Sequence, residues 1–467
     1  MTNGEPSAYV EDHQEDFLED LRSLLAQPSI SATGEGIDRC VRQVRRLCLE
    51  YGFDEAEIVE TPGNPAVIAH AFADAAAEAE ADGGGSTALL YGHYDVQPAT
   101  ASEWRSLPFE PTVRDGPDGE PRLYARGAGD NKGQWFAHLC AVHALRETGG
   151  LPTDVTLVIE GGEESGSEHL AWLVERHRET LDSDVAIVAD GPIDESGRPH
   201  VLLGSRGLLY VDIEAEGANR DLHSGNFGGP VPNPATAVVE LLASLREDGR
   251  ITLEGFYDDV RPLTDRDREV LAAIPFDETA AKDDLGLSAF ATDPDESYTE
   301  RLLCRPNLNV AGLDAGYGGE GMKTVLPSKA RAKIDFRLVA DQDPDAVFEA
   351  LSERVEADAP AGIDVELDRV AAMAPQRTPA DSPVVEPTMR AVRRGWDAEP
   401  ILKPSLGGSV PTYVFADALD VPCLVVPYAN ADENNHAPDE NIALSCFRAG
   451  IETTVALLGE LSETRLD

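Results

Sequence analysis

Lysine is scarce in this chain. Only six lysines occur in 467 residues, and lysine and arginine together number 38 against 86 acids, for a formal net charge of −48. Contacts to nucleic-acid phosphates need a basic patch, and none is visible, so no nucleic-acid partner is expected. No run of eighteen apolar residues occurs, so no membrane-spanning helix is expected either. The start, Met1-Thr2-Asn3-Gly4-Glu5, is polar and acidic, unlike a signal peptide. The six cysteines (Cys40, Cys48, Cys140, Cys304, Cys423, Cys446) form no CxxC pair and sit mostly in apolar stretches. They read as reduced core thiols of a cytoplasmic protein.

The acids are dispersed along the whole chain rather than gathered in a tail. Dispersed acids with few lysines suit a protein kept soluble in molar salt, where the Debye length is about 3 Å and self-repulsion is screened. A halophilic protein is the expectation. The length predicts two or three domains, and a hydrophobic content of 42% is ample for a large core.

One stretch organises the rest: Val155-Thr156-Leu157-Val158-Ile159, a buried strand by its apolar run, followed by Glu160-Gly161-Gly162-Glu163-Glu164-Ser165-Gly166-Ser167. Two adjacent acids at the end of a core strand repel each other and resist burial. Alone, such a pair reads as a solvated turn; with metal ions nearby, one acid can ligate while the other handles protons. Other strand ends supply matching groups. Thr87–Gly92 ends in His93-Tyr94-Asp95, where Asp95 can fix the tautomer of a ligating His93. Val185–Ala189 ends in Asp190, and Val421–Pro427 precedes a polar loop carrying His436, with Ala437-Pro438-Asp439-Glu440 opening a final helix. Asp130, flanked by glycines in Ala125-Arg126-Gly127-Ala128-Gly129-Asp130-Asn131-Lys132-Gly133, lies on a helix-entry loop, where it could also serve as a helix cap. Sites of open α/β sheets lie at such strand ends.

Elsewhere, residues 11–51 show helical spacing broken by the turn-rich 28–36, predicting two amphipathic helices, and Ala66–Phe72 reads as a strand. Ala73–Gly85, rich in Ala, Glu, Asp and Gly, reads as an exposed loop. Between 205 and 375 the order is β-α-β-β-α-β (208–216, 234–245, 307–313, 330–338, 344–357, 362–370), which suits a ferredoxin-like insertion. Residues 250–305 form a polar, irregular excursion within it. The fold class is thus α/β, a mixed, mostly parallel sheet with helices on both faces. Residues 1–205 and 378–467 form the main domain, and 206–377 the inserted α+β domain.

Two histidines, several carboxylates and no cysteine favour zinc, manganese or cobalt. A shared carboxylate would bridge two ions, and Asp130 is the natural candidate. These motifs resemble the dinuclear-zinc metallopeptidases that include carnosinase-type dipeptidases, aminoacylase, glutamate carboxypeptidase and succinyl-diaminopimelate desuccinylase. The resemblance covers nearly the whole chain. It rests on Tyr91–Pro98, Tyr124–Gly133, Glu160–Ser167, Asp221–Gly225, Lys323–Pro327 with Phe336-Arg337-Leu338, Gly407–Pro411 and His436-Ala437-Pro438, and is closest to the dipeptidase branch.

The resemblance implies two divalent ions, zinc first, bridged by Asp130. His93 and Asp190 complete one site, Glu164 and His436 the other. Glu163 is the general base for a shared water, and Asp95 orients His93. The inserted domain serves as lid and homodimer interface, with His223 reaching the partner's active site. Arg337, the Gly407-Gly408-Ser409 turn and Thr324 hold the substrate, the arginine fork matching a carboxylate. The Asp130–Asn131 peptide is expected to be cis. The implied activity is hydrolysis of an amide bond in dipeptides or short peptides with a free carboxylate. Pro192, where dipeptidases tend to carry an aromatic, and Ala371-Ala372-Met373-Ala374, where they place a histidine, keep an N-acyl-amino-acid deacylase as the alternative. A non-catalytic binding protein on the same fold is the remote one.

Overall fold

The computed structural model describes residues 5–74, 86–292 and 296–466. The start, 1–4, and most of the stretch read as an exposed loop, 75–85, lie outside the described residues. An eight-stranded sheet runs in the order Glu55–Val59, Ala66–Ala71, Val155–Glu160, Ala88–His93, Val185–Val188, Cys423–Val425, His200–Leu202, Ile401–Lys403. The central neighbours Val155–Glu160, Ala88–His93, Val185–Val188 and Cys423–Val425 pair in parallel. Both faces of these strands are covered. Leu90, Leu157 and Ile187 pack under the helices Ile37–Glu50, Lys132–Thr148 and Leu444–Ser462. Leu89, Tyr91, Val158 and Ala186 pack under Leu170–Arg176 and Thr412–Leu419. Burial on both faces is why these strands are continuous apolar runs rather than alternating ones, and each large aliphatic side chain so buried contributes roughly 1.5–3 kcal/mol. The parallel strands end together, so His93, Glu160 and the residues after Val188 and Val425 emerge on one edge.

The second layer is a four-stranded antiparallel sheet, ordered Asn307–Ala315, Lys329–Leu338, Gly207–Glu216, Asp364–Met373. The helices Pro234–Ser244 and Pro344–Asp358 pack on one face, giving the expected β-α-β-β-α-β arrangement. Gly207–Glu216 alternates buried and half-buried positions, as a strand covered on one face does.

The two helices expected in 11–51 are there, Gln14–Leu25 and Ile37–Glu50, and a further short helix, Pro6–Asp12, precedes them and ends where the chain leaves helical geometry at His13. Two expectations need correction. Residues 437–440 do not open the last helix: the strand Asn441–Ala443 intervenes, pairing with Pro121–Tyr124, and the helix starts at Leu444. Residues 250–305 are not irregular; they hold the helices Asp265–Ala273, Glu278–Leu285 and Tyr298–Cys304.

All six cysteines are buried free thiols. Among the described residues, no helix is long and apolar enough to cross a membrane. Each of the six lysines has a partner: Lys132 the Gln27 carbonyl, Lys282 Glu278, Lys323 the Tyr317 ring, Lys329 Glu214 and Glu216, Lys333 Asp212, and Lys403 Asp194.

Candidate metal centre and active site

The candidate residues converge where the parallel strands end. Ligand atoms of His93, Asp130 and Asp190 lie within 4.8 Å of one another, and so do those of Asp130, Glu164 and His436. Asp130 belongs to both groups. Its Oδ1 faces His93 Nε2 at 3.1 Å and its Oδ2 faces His436 Nε2 at 3.1 Å. Asp130 is not the helix cap: the helix begins at Lys132, and neither it nor Asn131 caps it through a side chain. The peptide between Asp130 and Asn131 is cis.

Each side chain is held from behind. His93 Nδ1 is 3.1 Å from the Asp95 carbonyl and 3.4 Å from its carboxylate, which leaves Nε2 free to face Asp130. The Asp95 carboxylate also accepts the main-chain N–H groups of Glu163 (3.2 Å) and Glu164 (3.1 Å). One fully buried acid therefore ties the histidine strand to the acidic turn. The Asn131 amide donates to the Ala189 carbonyl and to Asp190, while its oxygen accepts the His93 N–H. An aspartate there could not donate, which gives the amide a physical role. Glu164 is held by Gln97, through both the main-chain N–H and the side-chain amide. His436 sits at positive φ in a loop whose carbonyls at 432, 433 and 439 all accept from the Asn441 amide.

The electrostatics describe a site built around positive charge. Burial raises the Asp190 carboxyl to about 7, assisted by Asp130. Burial, then Asp190, Asp130 and Glu164, push Glu163 well above the usual carboxylate range, with His93 opposing. Burial alone would raise Asp130, but hydrogen bonds from His436 and His93 outweigh it and hold it below the normal range. His436 is raised to about 10 by Asp130 and Glu164. Behind them, burial raises Glu440 to about 7 and Glu433 well above its usual value, and both Glu433 oxygens are buried without a hydrogen-bond partner. Buried carboxylates at this density need compensating charge. The donor set of two imidazoles and three carboxylates, without thiolate, fits two divalent ions sharing Asp130.

Gln97 and Glu440 were not singled out from the sequence. Glu440 accepts the N–H groups of Gly129 and Asp130 and pairs with buried Arg126 at 2.6 Å. Gln97 lies within the Tyr91–Pro98 motif, and Glu440 follows four residues after His436; those positions were the available signals.

The remaining predicted residues fall into two groups away from the ligands. Arg337, on Lys329–Leu338, places Nη1 3.4 Å from Ser409 Oγ, with Gly408 beside it, and its Nε donates to Asp335. His223 and Thr324 lie together on an exposed ribbon, Leu222–His223 paired with Val325–Leu326. His223 Nδ1 accepts the Gly225 N–H, so neutral His223 carries its proton on Nε2, 3.3 Å from Thr324 Oγ1.

The sequence model of Peptidase family M20/M25/M40 matches residues 89–460. The chain belongs to this family. Among its relatives, the Beta-Ala-His dipeptidase of Homo sapiens is 29% identical over 396 residues, covering 83% of this chain and 77% of that one. The Cys-Gly metallodipeptidase DUG1 of Candida albicans is 29% identical over 462 residues, covering 95% and 94%. Among solved structures, the M20 family metallo-carboxypeptidase Sso-CP2 from Sulfolobus solfataricus superposes with a TM-score of 0.84 at 35% identity, covering 96% of this chain and 99% of that one. Human carnosine dipeptidase 1 gives 0.75 at 26%, covering 98% of each. This protein is therefore a peptidase-family enzyme, with a second, four-stranded antiparallel layer besides the sheet that carries the ligand groups.

Proposed function

We propose that this enzyme hydrolyses the amide bond of dipeptides or short peptides whose C-terminal carboxylate is free. The observation that carries this reading is the pair of ligand groups sharing Asp130, with Glu163 Oε2 3.9 Å from His93 Nε2. The relatives named as dipeptidases and as a metallo-carboxypeptidase support the substrate class.

His93, Asp130 and Asp190 would hold one divalent ion, and Asp130, Glu164 and His436 the other, zinc first and manganese or cobalt as alternatives. When bound, the ions supply Lewis acidity to the amide carbonyl and acidify the attacking water. Glu163 takes that water's proton on its carboxylate and passes it to the leaving amine. Its raised affinity for a proton, caused by burial and neighbouring acids, suits a group that takes a proton and passes it on. Arg337 and the Gly408-Ser409 turn hold the substrate carboxylate, and Thr324 lies with His223. His223, presenting Nε2–H from an exposed ribbon, is suited to donate to the developing oxyanion in a second copy of the chain. A donor of that kind is worth about 10²–10³ in rate. We read residues 1–205 and 378–467 as the catalytic domain, 206–377 as the inserted lid and dimerisation domain, and the protein as a cytoplasmic, salt-adapted homodimer.

The test is a product assay in molar salt with zinc or manganese, offering dipeptides and N-acyl amino acids together. Free amino acids from the dipeptides support the proposal. Release from acylated substrates alone would move the enzyme to the deacylase reading that Pro192 and Ala371–Ala374 keep open. Silence on both with metal bound would leave a binding protein. Glu163→Gln should abolish turnover and spare metal content; a near wild-type rate would refute the base. Mixed dimers of His223→Ala with Glu163→Gln should regain part of the activity, and no rescue would refute the shared site.

A further inference from the structure

The chain passes into and out of the lid through one short ribbon, Gly204–Ser205 paired antiparallel with Gln376–Arg377. Two residue pairs are too few to fix an angle between two layers, since even a complete two-stranded ribbon is marginal alone. The 250–305 excursion grips both strands of this ribbon. Arg206, almost fully buried, donates through Nη1 to the Leu302 carbonyl at 2.7 Å, and through Nη2 to the Arg305 and Arg337 carbonyls, both at 3.4 Å. On the other strand, Arg377, its side chain 8% exposed, lies 3.6 Å from the carboxylate of Asp267, which completes the capping box of Asp265–Ala273 with Thr264. Arg261 donates to the Arg377 carbonyl and forks onto Asp341 of the lid at 2.7 and 2.6 Å. The excursion is also anchored in both cores: Val270 packs in the main one and Phe256 in that of the lid.

What the ribbon separates is the pair Arg337 and Ser409, one on a lid strand and one on the turn after Ile401–Lys403, with 3.4 Å between Nη1 and Oγ. We propose that the excursion is a brace across the ribbon, and that Asp267 and Arg206 are positioning residues that set the Arg337–Ser409 gap in which the substrate carboxylate is held. The inference rests on the assignment of Arg337 and Ser409 to that carboxylate. Bidentate recognition by a guanidinium tolerates little displacement, and a misplacement of about 1 Å far from the chemistry can cost about 10²-fold. Neutralising Asp267 removes the carboxylate nearest to the largely enclosed Arg377 guanidinium, which loosens the brace where it meets the ribbon.

The experiment compares kcat/KM for one dipeptide with that for its C-terminal amide, in the zinc-loaded enzyme in molar salt. Asp267→Asn keeps an acceptor for the Thr264 N–H but removes the charge. It should lower the carboxylate-over-amide ratio at least about tenfold through KM, with kcat on the amide nearly unchanged. Asp341→Asn, at the exposed end of the brace, covers the case in which Asp267→Asn does not fold, and should lower the ratio about threefold. Equal losses on both substrates with a lowered Tm and an unchanged ratio would overturn the proposal, because they describe a merely structural residue. Arg337→Met separates the two layers of inference. If it collapses the ratio while the brace variants do not, the brace is wrong and the carboxylate assignment stands. If it leaves the ratio unchanged, the assignment falls and the brace proposal with it.

Discussion

Asp95→Asn should damage this enzyme in two separable ways. The carboxylate has two well-made bonds, from the N–H groups of Glu163 and Glu164, and a longer approach of 3.4 Å to His93 Nδ1. The closer partner of Nδ1 is the Asp95 carbonyl at 3.1 Å, which an asparagine retains. The imidazole tautomer therefore survives the substitution. What is lost is one acceptor at the acidic turn: an asparagine oxygen can serve one of the two N–H groups, while its NH₂ faces the other. A hydrogen bond to a charged group is worth about 1.5–3 kcal/mol, and leaving a buried donor unpaired costs about 1–3 kcal/mol. Both losses fall on the turn that carries Glu163 and Glu164. Metal affinity should drop about 10-fold, the lower end for a supporting residue behind a ligand, and kcat should fall further, about 10²-fold, because Glu163 moves with its own N–H. The assay is zinc competition against a chromophoric chelator, followed by kcat at saturating zinc. A variant that binds zinc tenfold more weakly but turns over at the wild-type rate when saturated would confine the effect of Asp95 to the ligand Glu164. A variant within twofold on both measures would refute the role altogether.

Three further outcomes follow from the geometry. Glu440→Gln keeps the oxygen that accepts from Gly129 and Asp130 but turns its NH₂ toward Arg126, which breaks the buried pair, and should cost about 3 kcal/mol in denaturant unfolding together with weaker metal binding. His138 is fully buried, and burial lowers its pKa to about 3, so the unfolded chain takes up a proton that the folded one refuses. Its contribution is complete above about pH 6.5 and is lost at about 1.4 kcal/mol per pH unit as the pH falls toward 3; a His138→Phe variant should show a shallower loss of stability between pH 6.5 and 5. With a formal charge of −48, lowering salt from about 1 M to about 0.1 M lengthens the Debye length from about 3 to about 10 Å, and Tm should fall by a large margin; an unchanged Tm would remove the halophilic reading.

The strand ends of the catalytic layer were legible because a strand buried on both faces leaves an uninterrupted apolar run, and the first polar residue after it marks the edge. His93 and Asp190 stand at such edges, and all five residues of the two ligand groups were legible in the sequence. The four-stranded sheet was legible for the same kind of reason: Gly207–Glu216 and Lys329–Leu338 alternate as half-buried strands must. The excursion was not. Glu278–Leu285 buries nothing, and a helix without a buried face leaves no periodic stripe. Its neighbours did leave capping signals, Thr264-x-x-Asp267 and Ser297-x-x-Glu300, and both are caps in the structure. Gln97 and Glu440 were missed for a different reason. Among 86 acids, that one carboxylate accepts two N–H groups and an arginine deep in the fold is a tertiary fact, invisible until distant segments meet.

The two populations of acid in this chain answer to different physics. Most are exposed, and dissolved salt screens them beyond a few ångströms. Asp130, Asp190, Glu433 and Glu440 are buried, with Glu164 nearly so, in a pocket of charge that mobile ions cannot enter freely. Screening there is weak, and the interaction with a bound cation is correspondingly strong. Salt and metal therefore do separate work: one relieves repulsion across the surface, the other balances charge that the fold has taken out of water. Metal affinity measured in the folded protein should thus change little between two and four molar salt, while the midpoint of unfolding keeps rising. A metal affinity that tracked the surface screening would place the carboxylate ligands nearer to solvent than their burial describes, His436 being the one ligand whose side chain is already half exposed.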